Sequence, residues 1–108
     1  MNYYEQHRAE YLEELKAFLR IPSISTDPDH KDDIRKAADF ALALLKKAGM
    51  DNTHLIEGEG NPLVYGEWLG AKGKPTLLLY GHYDVQPADP IDEWKSPPFE
   101  PDIRNDNI

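Results

Sequence analysis

The stretch TLLLYGHYDVQPADP, Thr76 to Pro90, decides how the chain is interpreted. Its first part is almost wholly apolar and lacks the polar–apolar alternation of a strand with one face in solvent. Such a run is typical of a strand that is covered on both faces in the middle of an α/β sheet. Two polar residues, His82 and Asp84, follow the run after a glycine. We therefore expect a buried strand over residues 76–80 whose carboxyl end carries an imidazole and a carboxylate.

Two amphipathic helices are predicted before this strand. The first runs from about Tyr4 to Arg20, because apolar residues recur there at helical spacing until Pro22 stops the helix. The second runs from about Lys31 to Ala48 and carries an alanine-rich apolar stripe. Its acidic start and basic end match the helix dipole, and Gly49 is the expected C-terminal cap. Both helices are amphipathic, so we expect them to cover a sheet.

The remaining segments favour short strands and loops. Residues Thr53 to Glu57 form a strand candidate, and the segments PLVYGEWLG and PTLLLYG flank the turn AKGK as a hairpin would. Five prolines between Pro87 and Pro101 indicate a loop, and DIRNDNI is a further strand candidate. The expected fold class is α/β, with two helices packed on a mixed sheet.

Composition limits the classes of partner and of metal site. The 108 residues carry a formal net charge of -8, which disfavours nucleic acid and anionic membrane surfaces as partners. There is no cysteine, so any metal site must use nitrogen and oxygen ligands. The sequence has neither an apolar signal core nor a run of membrane-spanning length, so a cytoplasmic location is expected.

The pair formed by His82 and Asp84 is the main candidate for chemistry. Ligands of open α/β sheets bind beyond the carboxyl ends of the strands, where this pair is expected to lie. A carboxylate two residues away can hydrogen-bond one imidazole nitrogen and thereby orient the ring for a metal ion. The alternative is an ordinary histidine at a strand end, hydrogen-bonded to its neighbour. Spacing by itself leaves both interpretations open.

The other polar candidates give weaker signals. Ser23 and Ser25 have no visible base nearby, so nucleophilic serine chemistry is not expected. The segment GEGNP, residues 58–62, lacks a GxGxxG spacing and is interpreted as a turn. The remaining histidines are expected at the surface: His7, His30 and His54.

The motif LLLYGHYDVQP resembles the signature of the co-catalytic zinc metallopeptidases, in which G-H-x-D-V-x-P follows a buried apolar strand. This family includes carnosinase-like dipeptidases, aminoacylase, succinyl-diaminopimelate desuccinylase, acetylornithine deacetylase and glutamate carboxypeptidase. The VQP form, the downstream EWKSPPF and the earlier IPSIS are most similar to the dipeptidase branch. The resemblance extends over essentially the whole chain.

The resemblance implies roles for a few residues. His82 matches the first zinc-ligand histidine, and Asp84 matches the aspartate that orients it and is counted as catalytic. Trp94 and Phe99 match the W…PF punctuation of the family's loop and are expected to be structural. Residues 1–108 would then be the N-terminal portion of a catalytic domain. The rest of that domain and a lid domain that mediates dimerisation are absent from the sequence.

The resemblance also implies the chemistry of a full-length protein. Such a protein would bind two zinc ions, with cobalt or manganese as alternatives, and would hydrolyse small peptides or N-acyl amino acids. It would be a homodimer. Its bridging aspartate, its Glu-Glu pair and its further metal ligands have no counterpart in these 108 residues, so the fragment by itself is expected to be inactive. The alternative is a non-catalytic remnant that acts as a folding or interaction module.

Overall fold

The computed structural model describes all residues, Met1 to Ile108, and contains two helices followed by two strands. The elements in chain order are α1 (Tyr3–Leu19), α2 (Lys31–Lys47), β1 (Asp51–Ile56) and β2 (Leu63–Glu67). Two short 3-10 turns, Pro28–His30 and Ile91–Glu93, lie outside them. None of the helices is long and apolar enough to cross a lipid bilayer.

Both predicted helices are present, and their bounds follow from local chemistry. At the start of α1, the Asn2 side chain accepts a hydrogen bond from the Glu5 amide at 2.9 Å, and the Glu5 carboxylate accepts one from the Asn2 amide at 2.9 Å. This reciprocal pair satisfies two amide groups that a helix start leaves free. After α2, Gly49 has a φ of +79°, in the left-handed region where glycine carries no steric penalty.

The strands form a two-stranded antiparallel sheet that packs against α2. His54 lies opposite Tyr65 in the ladder, and an irregularity separates that pair from the first pair of the sheet. On α2, Ile34, Ala37 and Ala38 are buried. Small alanine side chains permit a close approach of the helix to the sheet, and Gly66 continues this fit, since an added Cβ there would lie 3.1 Å from Leu45 Cδ1.

Helix α1 contacts α2 and is not a second cover for the sheet. The rings of Phe18 and Phe40 stack with their centroids 5.5 Å apart. At the C-terminal end of α2, Lys47 Nζ donates to Glu10 at 2.6 Å and also to Glu14. The main contacts between helices and strands are those of α2. The expectation that both helices pack on the sheet is therefore corrected for α1.

The apolar run that prompted the fold prediction is not a strand in this structure. Residues 76–80 belong to no helix or strand, and their backbone makes no hydrogen bond. The side chains of residues 77–80 are between 77% and 92% exposed. The sheet of this chain consists of β1 and β2 alone, and neither strand pairs with residues 76–80, so the run has no neighbouring strand. The α/β class is confirmed, but the sheet is antiparallel and not mixed, and the predicted buried strand is wrong for this chain.

The predicted hairpin across AKGK is also replaced by a different pairing. Residues 63–67 pair with residues 51–56, which precede them, and not with the apolar run that follows. The AKGK segment is a turn without a ladder, in which Lys74 donates its amide to the Ala71 carbonyl at 3.2 Å. The strand candidate DIRNDNI forms only an isolated bridge between Arg104 and Asn107.

Candidate metal-binding site

The structure brings His82 and Asp84 into direct contact. His82 Nδ1 lies 2.9 Å from the Asp84 main-chain oxygen and 3.2 Å from Asp84 Oδ1. A carbonyl oxygen and a carboxylate can only accept hydrogen bonds, so the neutral imidazole must carry its proton on Nδ1. The lone pair is then on Nε2. That nitrogen has no hydrogen-bond partner, and the side chain is 72% exposed.

Asp84 is kept in its charged form by its neighbours. The pKa of its carboxyl is lowered first by the nearby Ser25 side chain and to a smaller extent by His82. The side chain is 41% exposed, so solvent screens much of this effect. A negative charge beside Nδ1 favours the proton on that nitrogen and makes Nε2 a better electron-pair donor.

The segment after α1 holds the His82–Asp84 turn in place. Ile24 and Val85 form a parallel bridge, in which the Val85 amide donates to the Ser23 carbonyl at 2.9 Å and the Ser25 amide donates to the Val85 carbonyl at 3.4 Å. The Ser23 hydroxyl donates to the Tyr83 carbonyl at 2.8 Å. Ser23 is only 3% exposed. The two segments, 23–25 and 83–85, are named the clamp below.

Sequence reasoning missed the clamp because it tested Ser23 and Ser25 only as nucleophiles. The signal that indicates it is the alternation Ser-Ile-Ser, which is the period of an extended segment with one apolar side. The partner of that segment is about sixty residues away in the sequence, and no local pattern identifies it.

The other side of the turn is fixed to the loop before β2. The Tyr83 hydroxyl donates to the Pro62 carbonyl at 2.6 Å, and burial is the main cause that raises the pKa of the Tyr83 phenol. Further along, Trp94 Nε1 donates to the Ala88 carbonyl at 2.8 Å. Trp94 and Phe99 line an apolar groove of about 330 Å³ next to the end of α1. These contacts support the structural role expected for both aromatic residues.

The remaining histidines have other contacts. His7 lies 3.3 Å from Glu10, His30 lies 2.8 Å from Asp33, and His54 Nδ1 lies 2.8 Å from the Asn52 carbonyl. His54 is exposed, as expected, whereas the structure leaves His7 and His30 half-buried.

The donor atoms at the turn match part of the ligand set that a zinc ion requires. Zinc accepts a neutral imidazole nitrogen as a ligand, and a carboxylate on the second ring nitrogen is the usual partner of a metal-bound histidine. His82 Nε2 and the Asp84 carboxylate have these positions. Within residues 1–108, no three His, Cys, Asp or Glu side chains lie close enough together to hold one ion. The turn thus presents one exposed imidazole nitrogen and a carboxylate beside the other ring nitrogen.

Comparison with known proteins relates the chain to enzymes with metal-dependent chemistry. It is 34% identical over 107 residues to the Cys-Gly metallodipeptidase DUG1 of Candida albicans, a match that covers 88% of this chain and 22% of the relative. It is 44% identical over 63 residues to the succinyl-diaminopimelate desuccinylase of Stenotrophomonas maltophilia strain K279a, covering 58% of this chain and 16% of the relative. No protein-family model matches the chain.

A solved structure has the same arrangement of elements. The dipeptidase Dug1p from Saccharomyces cerevisiae superposes with a TM-score of 0.80 at 24% identity, over 89% of this chain and 22% of that one. The chain therefore spans about a fifth of the length of the dipeptidases it matches. Over that span it belongs to the family of metal-dependent hydrolases that contains the Cys-Gly metallodipeptidases and the succinyl-diaminopimelate desuccinylases.

Proposed function

We propose that the chain is part of a metal-dependent hydrolase of peptide or acyl-amide bonds, and that its substrate is a dipeptide. The observation that carries this proposal is the His82–Asp84 contact, which holds a proton on Nδ1 and leaves Nε2 exposed and unpartnered. The dipeptidase names among the relatives support the choice of a dipeptide over an N-acyl amino acid.

In this proposal His82 is a metal ligand and Asp84 is the residue that positions it. A bound zinc ion would polarise the scissile carbonyl group and lower the pKa of a bound water. His82 presents its Nε2 lone pair, and Asp84 holds the ring in the tautomer that exposes that lone pair. The clamp fixes the backbone between the two side chains, so the imidazole keeps its direction.

The other parts of the site come from outside these residues in the same proposal. Residues 1–108 act as the N-terminal portion of the catalytic domain, and further carboxylate and imidazole ligands complete a two-zinc centre. A homodimer and a cytoplasmic location are proposed for the whole protein by analogy with the family. Cobalt or manganese are alternatives to zinc, because they accept the same nitrogen and oxygen ligands.

A chimera tests the role of the turn directly. The matched region of the Candida albicans relative is replaced by residues 1–108, and hydrolysis of Cys-Gly is measured with added zinc. We expect turnover in the chimera and none after His82→Ala. Asp84→Asn should lower the rate by about 10–100-fold, as is common for residues that orient a metal ligand. The variant His7→Ala is the matched control, since that histidine lies on α1 away from the turn.

The result that contradicts the proposal is also specific. A chimera that folds by circular dichroism and keeps its full rate after His82→Ala would exclude this histidine as a ligand. A chimera that cleaves the succinyl-diaminopimelate amide but not Cys-Gly would show that the substrate is an acyl amide and not a dipeptide.

The isolated chain gives a second test of the same proposal. We expect residues 1–108 to bind zinc weakly through His82 and to hydrolyse no dipeptide, since catalytic zinc sites usually hold three protein ligands. Zinc titration followed by the ring ¹⁵N shifts of the four histidines should perturb His82 Nε2 first. Rapid turnover of Cys-Gly by the isolated chain would refute the need for outside ligands.

A further inference from the structure

Tyr83 lies between the two candidate site residues and is held through both its backbone and its side chain. Its main-chain carbonyl accepts a hydrogen bond from the Ser23 hydroxyl at 2.8 Å. Its own hydroxyl donates to the Pro62 carbonyl at 2.6 Å. The first bond belongs to the clamp, whereas the second reaches the loop between β1 and β2. Residue 83 is therefore attached to two segments that are distant from it, and from each other, in the sequence.

The Pro62 carbonyl is a fixed point of the fold. Pro62 is buried and directly precedes Leu63, which pairs with Ile56 in the antiparallel ladder. The proline ring also restricts the backbone angle φ of this residue. At the other end of the loop, Arg35 Nη1 of α2 donates to Glu57 Oε1 at 2.6 Å. The phenol that donates to this carbonyl therefore connects the site to the unit formed by α2 and the sheet.

The backbone at residue 83 decides whether the imidazole and the carboxylate of the site can meet. His82 Nδ1 lies 2.9 Å from the Asp84 main-chain oxygen and 3.2 Å from Asp84 Oδ1. Both acceptors belong to the residue two positions further on, so the torsion angles of Tyr83 set their distance from the ring. Side chains alternate in direction along an extended segment. The phenol can therefore hold this backbone without occupying the side on which Nε2 is exposed.

We infer that Tyr83 is a positioning residue for the His82 imidazole, through the hydrogen bond from its hydroxyl to the Pro62 carbonyl. The inference rests on the proposed function, in which His82 is a metal ligand. The hydroxyl touches neither metal nor substrate in this role. It restricts the backbone of the turn, so that the Nδ1 proton stays directed at Asp84 and Nε2 keeps its direction.

The variant Tyr83→Phe tests this role, because it removes only the hydroxyl and keeps the ring. In the chimera with the Candida albicans relative, we expect kcat for Cys-Gly to fall by about 2–10-fold, the rate equivalent of one net hydrogen bond. The KM should be unchanged, because Tyr83 contacts no substrate. Tyr65→Phe is the matched control, since the Tyr65 hydroxyl donates to Glu67 within β2. It should change neither constant.

A second readout does not depend on activity. In residues 1–108 without metal, long-range ¹H–¹⁵N correlation of the His82 ring at about pH 8, where imidazoles are ordinarily neutral, gives the share of the tautomer with its proton on Nδ1. That share should fall in Tyr83→Phe and stay the same in Tyr65→Phe. Far-UV circular dichroism should show the same helices in both variants. A purely structural role of the hydroxyl would change the stability of the chain and leave the tautomer unaltered.

The two readouts separate this inference from the proposed function. If the unmodified chimera cleaves Cys-Gly and Tyr83→Phe changes neither kcat nor the tautomer, the inference is overturned and the proposed function is retained. A raised KM with an unchanged kcat would assign Tyr83 to substrate binding and would also overturn it. If the unmodified chimera is inactive, the proposed function fails and the tautomer decides: a lower Nδ1 share in Tyr83→Phe supports the positioning of the ring, and an unaltered share overturns it.

Discussion

Replacement of Ser23 by alanine tests whether the clamp fixes the candidate site. The Ser23 hydroxyl is nearly inaccessible to solvent and donates to the Tyr83 carbonyl at 2.8 Å, between His82 and Asp84. Ser23→Ala removes one oxygen atom and should leave the fold of the backbone unchanged. The Tyr83 carbonyl then loses its donor, and the buried position of the serine gives water little access to replace it.

The expected cost follows from that unpaired carbonyl. The hydrogen bond to the Tyr83 carbonyl is partly buried, so the loss of its only donor should destabilise the folded state by about 1–3 kcal/mol, the cost of an unsatisfied acceptor. The bridge between Ile24 and Val85 retains its backbone hydrogen bonds in the variant, so the turn loosens without detaching. We therefore expect a loss in this range and a less ordered His82 side chain.

Two measurements check the two parts of this expectation. Urea unfolding, followed by circular dichroism, gives the change in the free energy of unfolding. Long-range ¹H–¹⁵N correlation of the His82 ring gives the share of the tautomer with its proton on Nδ1, which should fall in Ser23→Ala. Ser96→Ala removes an exposed hydroxyl and should change neither quantity. Unaltered stability and an unaltered tautomer in Ser23→Ala would refute the role assigned to the clamp.

Two further predictions concern the packing and the charges of α2. Ile34 is 3% exposed in the core between α2 and its neighbours. Ile34→Ala should therefore lower the free energy of unfolding by about 2–5 kcal/mol. A loss below about 1 kcal/mol in urea unfolding would contradict the assigned packing. The pKa of Asp33 is lowered, first by its hydrogen bond with His30 and then by Lys36. The charged carboxylate therefore stabilises the folded state above the ordinary carboxyl pKa. This stabilisation is lost as the pH falls through the lowered pKa. The stability difference between the wild-type chain and Asp33→Asn should therefore shrink on acidification below about pH 4, and a difference that stays constant from pH 7 to pH 2 would show that the charge has no part in it.

Local features of the sequence predicted the two helices and the contact between His82 and Asp84. Helix bounds depend on hydrogen bonds between residues three or four apart and on caps within the same few residues, so Pro22 and Gly49 were sufficient to place the two ends. His82 and Asp84 are two residues apart, and their contact needs only a short stretch of backbone. The family resemblance was carried by the same contiguous motif.

The partners of the extended segments were decided only by the tertiary structure. A strand gains its hydrogen bonds from a second segment, and no pattern within residues 76–80 states whether that segment is present in the chain. Here residues 51–56 and 63–67 pair with each other, because a short loop closes them at lower entropic cost than a distant partner. Ser23 is a second example. No residue near Ser23 in the sequence indicates its partner, yet in the folded chain its hydroxyl donates to the Tyr83 carbonyl, sixty residues away. Contacts that close long loops depend on the whole packed chain, and this is why a local pattern could predict what residues 76–80 favour but not what they contact.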